Sequence, residues 1–248
     1  LTTIPYSEGK ENFCSIVVDG FGDRSTTSIS YVDNPLSIRE LWSCNYPHSL
    51  GLFFSSITDF LGFNINEGEY KVMGLAAFGN KNSKNYKKIS KLIKWDEETN
   101  KIKTNLDYFN YHISPTQSYS KKLEDLLGNA RNPFKTLLPE DKDFKFYADI
   151  AKGSQDLTVK ILCKIFEHGY KLTKTRNFLF SGGVAMNSAA METIANLPFV
   201  DQIIIPPNPG DAGAAIGAAY YGYLKFSSKN KNIEKPNYFP TSYKVKNQ

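Results

Sequence analysis

Apolar and polar positions change rhythm several times along the 248 residues. Phe13-Cys14-Ser15-Ile16-Val17-Val18 is a β-rich run stopped by Asp19-Gly20, and Thr26 to Val32 alternates polar with apolar before Asp33-Asn34-Pro35. Two such runs around Asp-Gly, with Gly22 and Asp23 just beyond, predict a hairpin closed by a tight turn. At Ser49 the period becomes helical. Ser49 can cap a helix that carries Leu50, Phe53, Phe54, Ile57 and Leu61 and closes at Gly62. That aromatic stripe reads as core. Asn66 to Gly79 follows, with Glu67, Glu69, Lys71 and three glycines set among small or apolar residues, more chemistry than a surface turn needs.

Residues 80–140 are the least patterned, rich in Lys and Asn, with short helical pieces and few core signals. From Asp141 to Gly169 the positions of Phe146, Ile150, Leu157, Ile161, Leu162, Ile165 and Phe166 predict a long helix ending near Gly169. Phe178-Leu179-Phe180 is a short buried strand running into Ser181-Gly182-Gly183, with a helix from about Asn187 to Asn196. Gln202 to Ile205 is another strand, and Asn208-Pro209-Gly210-Asp211 leads into a small-residue helix, Ala212 to Leu224. Strand-loop-helix repeated in this way implies an α/β fold whose sheet contains parallel strands covered by helices. No repeat of solenoid period is visible.

Composition narrows the classes. Apolar residues at 41% and charged residues at 22%, with 17 Gly and 12 Pro, describe a globular chain of one large or two small domains. Disordered, collagen-like and coiled-coil classes are excluded. No apolar run reaches the roughly 18 residues of a membrane span, and Leu1 to Lys10 lacks a signal-peptide pattern. Cys14, Cys44 and Cys163 are too scattered for a disulfide framework or a zinc pair, which fits a reducing, cytoplasmic setting. The net charge of +5 is concentrated: eight lysines between Lys81 and Lys103 and six from Lys225 onward, leaving the rest of the chain acidic. Without interleaved arginines and aromatics these stretches read as solvated surface, not as a nucleic-acid site.

Candidate chemistry sits at the glycines. Strand-Gly182-Gly183-helix sets unpaired backbone N–H groups beside a helix N-terminus, a place where an anion is favoured. A turn without ligand accounts for the same residues. Neither the Gly-x-Gly-x-x-Gly fingerprint nor the Walker lysine is present. Asp211, after a strand and before a helix, can be a cap or a metal's carboxylate ligand. His48, His112 and His168 form no pair at ligand spacing. His168 before Gly169 suits a helix C-terminus, where a cation is favourable. No nucleophile elbow exists.

Several blocks, in order, strongly resemble the O-carbamoyltransferases of antibiotic and nodulation-factor biosynthesis. They are Val17-Val18-Asp19-Gly20-x-Gly22-Asp23-x-x-Thr26-Thr27, Glu67-Gly68-Glu69-Tyr70-Lys71-Val72-Met73-Gly74-Leu75-Ala76, Ser181-Gly182-Gly183-Val184-Ala185-Met186-Asn187 and Pro206-x-x-x-Gly210-Asp211-Ala212-Gly213. His48-Ser49-Leu50-Gly51 and Gln155 match as well. More distantly, the chain is similar to the tRNA threonylcarbamoyl transferase domain and to the ATPases of the actin, heat-shock chaperone and sugar-kinase group. The resemblance implies an actin-like ATPase (ribonuclease H-like) fold, mainly its second half-domain, with a mixed sheet covered by helices. It assigns residues 1–225 to a partial ATPase-like domain with 80–140 as an elaboration, and 226–248 to a linker or the start of a C-terminal domain.

The resemblance further implies a two-step reaction. Carbamoyl phosphate, ATP and water give carbamoyl-adenylate, pyrophosphate and inorganic phosphate, and the carbamoyl group then passes to a hydroxyl of a small molecule or sugar. Gly182, Gly183, Asn187 and Gly210 would hold the nucleotide, and Asp19, Gly20 and Gly22 would form a second phosphate-side turn. Glu67, Glu69 and Lys71 would lie near the ribose or carbamoyl end, with Glu69 and Lys71 the catalytic candidates. Asp211 would ligate iron(II) or another divalent metal, and magnesium would accompany ATP. The family's His-x-x-x-His pair, first half-domain and YrdC-like C-terminal domain have no counterpart here, so the chain alone is expected to be inactive. Two other readings stay open, a non-catalytic nucleotide-binding or partner-docking module and a threonylcarbamoyl transferase-like protein.

Overall fold

The computed structural model describes residues 2–7, 12–227 and 243–246 of the chain. The first alternating run forms β1 (Phe13–Val18), which turns back into β2 (Ser25–Asn34) with Phe13 opposite Val32 and Val18 opposite Thr27. The hairpin is as predicted, but its turn is not tight. The Asp19 N–H still donates to Thr26 O at 2.8 Å, and residues 20–24 loop out beyond it. β3 (Ser37–Asn45) then pairs antiparallel with β2, a strand the sequence pattern does not announce. Only Cys44 in it is buried, and an edge strand largely in solvent carries no burial alternation.

Ser49, in extended conformation, accepts the Leu52 N–H at 3.0 Å and so starts α1 (Leu50–Phe60), with Gly62 at φ +68 just after it. Next come α2 (Glu69–Ala76), α3 (Lys84–Ile89), the antiparallel pair β4 (Ile93–Asp96) and β5 (Lys101–Thr104), and α4 (Lys121–Leu127). The reading of 80–140 as poor in core is corrected here. Ile89, Leu92, Ile93, Ile102, Phe109, Leu123 and Leu127 are all buried. They are spread one or two per short element among lysines, which hides their periodicity.

α5 (Phe144–Thr173) runs past the expected end at Gly169. A Cβ on Gly169 would lie 2.8 Å from Cys14 Sγ, so this glycine allows the helix to touch β1 instead of ending the helix. His168 is therefore no terminal cation. It lies edge-on to Trp42 with ring centroids 5.5 Å apart, and burial, then Lys171, push its pKa down. β6 (Asn177–Ser181), α6 (Ser188–Ala195), β7 (Gln202–Ile205) and α7 (Ala214–Ser227) follow the predicted order. A 3-10 turn precedes each of the last two helices, Gly183–Met186 and Asp211–Gly213. β8 (Tyr243–Lys246) pairs antiparallel with β7; the rest of the tail from 228 on lies outside the described residues.

The chain divides into two compact units, Leu1–Asn45 with Cys163–Gln248, and Tyr46–Leu162. In the first, the sheet has the order β3-β2-β1-β6-β7-β8, with β1, β6 and β7 parallel. One sheet face packs on α5: Phe166 lies 5.1 Å from Phe178 and 5.2 Å from Phe180 between ring centroids. The other buries Phe13, Val32, Leu179 and Ile204 under Ile4, Tyr6 and Tyr220. In the second unit the buried stripe of α1 (Leu50, Phe53, Ile57, Phe60) forms core as predicted, with Phe53 edge-on to Phe109. Among the described residues no helix is long and apolar enough to cross a membrane.

Candidate functional site

Three loops leave the carboxyl ends of the parallel strands of the first unit: Val18-Asp19-Gly20 after β1, Ser181-Gly182-Gly183 after β6, and Pro206 to Asp211 after β7. Parallel strands end on a common edge, the place where open α/β sheets bind ligands. Gly182 has φ +91, and a Cβ there would lie 2.2 Å from Val18 O, so only glycine fits. Its N–H donates to Pro209 O at 2.7 Å and ties the β6 loop to the β7 loop. Gly182 thus builds the turn, and its N–H is not among the open ones the sequence suggests.

Gly183 is the residue that faces the junction. It opens the 3-10 turn, whose first N–H groups have no acceptor within the turn itself. A Cβ on Gly183 would lie 3.2 Å from Asp19 Oδ1; one on Gly210 would lie 3.9 Å from Gly183 Cα and 3.8 Å from Met186 Cε. Asp19, Gly183, Met186 and Gly210 therefore share one small neighbourhood. Asp19 Oδ1 also accepts the Gly20 N–H at 2.7 Å, which shapes the first loop. Met186, part of the Ser181-to-Asn187 block but given no role there, is 61% exposed. The available signal was a long apolar side chain in a glycine loop with no strand or helix face to bury it.

The other residues expected in this unit have plainer settings. A Cβ on Gly22 would lie 2.6 Å from Ser25 O, so this glycine serves the hairpin loop. Asn187 is buried and precedes α6, yet its side chain does not cap that helix. The glycine pair does not abut α6, because the 3-10 turn intervenes. Asp211 is exposed and begins its own 3-10 turn, whose cap position is Gly210; α7 starts only at Ala214. Asp211 as the helix cap is thereby corrected. Among the described residues no group of three or more His, Cys, Asp and Glu side chains is placed to hold a metal ion. These residues therefore do not fit a resident metal by themselves.

Glu67, Glu69 and Lys71 belong to the second unit. Gly68 is required there, since a Cβ would lie 2.6 Å from Phe63 Cβ and 2.8 Å from Asn64 O. Glu69 Oε1 accepts both the Ser55 hydroxyl and the N–H of Asn66, each at 3.0 Å, and so holds Asn66 at its φ of +68. Glu67 Oε2 accepts from Asn64 Nδ2 at 3.5 Å. The Lys71 ammonium lies 5.7 Å from the Phe63 ring centre and 5.8 Å from that of Tyr70. Glu67 and Glu69 thus brace the loop before α2, and Lys71 is a cation held over rings. No packing in the structure explains Gly74, where a Cβ would meet nothing within 4 Å. His48 Nδ1 accepts the Thr104 N–H at 3.2 Å, and burial, then Lys103, lower its pKa, which keeps the imidazole neutral. Gln155 is buried on α5.

Comparison with known proteins gives the family context. Residues 2–220 match the family model described as Carbamoyltransferase N-terminus. The uncharacterized protein sll1178 of Synechocystis sp. is 34% identical over 229 residues, 92% of this chain and 36% of that protein. Nodulation protein NolO of Bradyrhizobium diazoefficiens is 27% identical, covering 85% of this chain and 35% of its own length. Nodulation protein NolNO of Sinorhizobium fredii is 24% identical, with 85% and 28% covered. The chain thus spans about a third of the length of the curated relatives it matches.

Proposed function

The chain belongs to the carbamoyltransferase N-terminal family, and on that premise we propose that it supplies the nucleotide-binding part of an ATP-dependent O-carbamoyltransferase. The meander β1-β2-β3 continued by parallel β6 and β7, with helices on both faces, supports a half-domain of the actin-like, ribonuclease H-like ATPase fold. The observation that carries the functional reading is the convergence of Asp19, Gly183 and Gly210 at the carboxyl edge of those parallel strands. Gly183, without a side chain, lets the α-phosphate of ATP approach the first N–H groups of the 3-10 turn. Gly182 fixes the turn, and Asn187 and Met186 border the nucleotide. Asp19 has the sign of the phosphates, so the nucleotide enters as its magnesium complex, which offsets that repulsion.

Carbamoyl phosphate is the proposed donor and a carbamoyl-adenylate the species consumed. A hydroxyl oxygen of a small molecule or sugar attacks the carbamoyl carbon. The bond from that carbon to the adenylate oxygen breaks, AMP leaves as the carbamate ester forms, and the proton of the hydroxyl passes to water. Lys71 and Glu69 stay the candidates for the carbamoyl end, although Glu69 Oε1 already serves Ser55 and Asn66. Asp211 offers one carboxylate to iron(II) or another divalent ion, whose remaining ligands would come from beyond the described residues.

The test is a calorimetric titration of the protein with magnesium-ATP, repeated on Gly183→Asp. The variant sets a second carboxylate against Asp19. Saturable binding that Gly183→Asp abolishes, with an unchanged circular dichroism spectrum, is expected; binding that survives the substitution refutes the site. The docking-module reading draws on the exposure of Ala214, Ala215, Ala218 and Ala219 along α7, and it gains if the folded protein binds no nucleotide.

A further inference from the structure

We propose that the second unit carries a binding cleft for an uncharged, hydroxyl-rich ligand of saccharide type, lined by Asp59, Phe63, Tyr111, Thr116, Gln117 and Tyr119. The cleft measures about 640 Å³, within the roughly 300–1,000 Å³ typical of small-molecule sites. All of its lining residues come from this one unit.

Which polar atoms remain open decides the ligand. Arg131 also lines the cleft, but four of its N–H groups are taken and one Nη2 N–H is left: Nε donates to Leu61 O, Nη2 to Gly62 O, and Nη1 to the carbonyls of Asn132 and Lys135. The guanidinium sits 4.7 Å from the Phe63 ring centre and acts as wall, poorly able to grip an anion bidentately. Tyr111 donates its hydroxyl to Pro47 O at 3.0 Å and so offers only its ring. Asp59 gives Oδ2 to the Ser118 hydroxyl, while among the described residues its Oδ1 has no hydrogen-bond partner. The Tyr119 hydroxyl likewise has none, and its ring is fixed edge-on to Phe60 at 5.5 Å. Burial first, then Asp59, raises the Tyr119 pKa, so the phenol stays protonated as a donor. Gln117 gives Oε1 to Asn110 at 3.3 Å and keeps its NH₂ donors.

The open atoms are a carboxylate oxygen, a phenol and an amide NH₂, interleaved with ring surfaces, while the Thr116 hydroxyl already shares a hydrogen bond with Ser114 Oγ at 3.4 Å. Hydroxyl groups donate and accept at once and can answer such a set, while the C–H face of a sugar ring packs on aromatics. One carboxylate and one guanidinium balance, which disfavours a strongly charged ligand. An apolar ligand would desolvate Asp59 Oδ1 without replacing its water. The inference uses none of the glycine-loop residues, so it stands or falls apart from the nucleotide reading.

Saturation-transfer difference NMR on the protein with maltose, cellobiose and sucrose tests it. Ring protons of at least one sugar should take up saturation, and the effect should fall at least fivefold in Tyr119→Phe and in Gln117→Ala. Tyr119→Phe removes a hydroxyl with no partner among the described residues, so folding is not at stake; circular dichroism checks this. No saturation of any of the three sugars, or saturation that both variants leave intact, overturns the proposal.

Discussion

Alanine at Gly182 separates the glycine that builds the loop from the glycine that would meet a ligand. Its Cβ would lie 2.2 Å from Val18 O, 2.6 Å from Val18 C and 2.9 Å from Val18 N, all backbone atoms of a central strand that cannot swing aside. Overpacking of this kind costs about 1–3 kcal/mol, and holding a side chain at φ +91 costs on the order of 1–3 more. The sum, about 2–6 kcal/mol, is a large share of the roughly 5–15 kcal/mol that keeps a domain folded. Gly183→Ala meets only Asp19 Oδ1, at 3.2 Å, and should cost within about 1 kcal/mol. The chain's 2 tryptophans provide the assay, since Trp42 lies in the first unit and Trp95 in the second. In a Trp95→Phe background, urea unfolding followed by Trp42 emission should show Gly182→Ala lowering the midpoint by about 1–3 M, taking a slope near 2 kcal/mol/M. Equal midpoints for the parent and Gly182→Ala, or an equally large loss in Gly183→Ala, would refute this division of roles.

Two further outcomes follow from the second unit. Ser49→Ala removes the oxygen that accepts the Leu52 N–H and should cost about 1 kcal/mol, read by Trp95 emission in a Trp42→Phe background; no loss would mean the cap is dispensable. The Asp96 carboxyl, 8% exposed, is held down at about 2 by Lys103 first and then by Thr99. Its pKa is lowered on folding, so its contribution is complete above the unfolded value of about 3.9 and is lost as pH falls through about 2. The Asp96 side-chain carbon should titrate near 2 by NMR and move well upward in Lys103→Met; an unmoved midpoint contradicts the pairing.

Local chemistry made much of this protein legible. β1, β2, α1, the body of α5 and the β6-α6-β7 order follow from period, caps and glycines, because each buries a face over several turns or residues, and α7, which buries only Gly217, was announced by its small-residue run alone. The glycine loops were visible for the same reason: strand-Gly-Gly has few backbone solutions. β3, β4 and β5 were not legible, since β3 buries little but Cys44, and the inward Ile93, Trp95 and Ile102 alternate with lysines over four-residue strands. The end of α5 was misread because a glycine inside a helix and a glycine after one look alike until Cys14 is found against it. Gly182 and Gly183 likewise stay indistinguishable until Pro209 takes one N–H and Asp19 faces the other residue. The cleft with Asp59, Gln117 and Tyr119 has no signature at all, for its atoms come from the end of α1 and from a loop far along the chain. Sequence alone determined which residues can turn, cap and fill. Tertiary structure decided which polar atoms are already spent and which stay open, because a hydrogen-bond partner distant in sequence leaves no local trace.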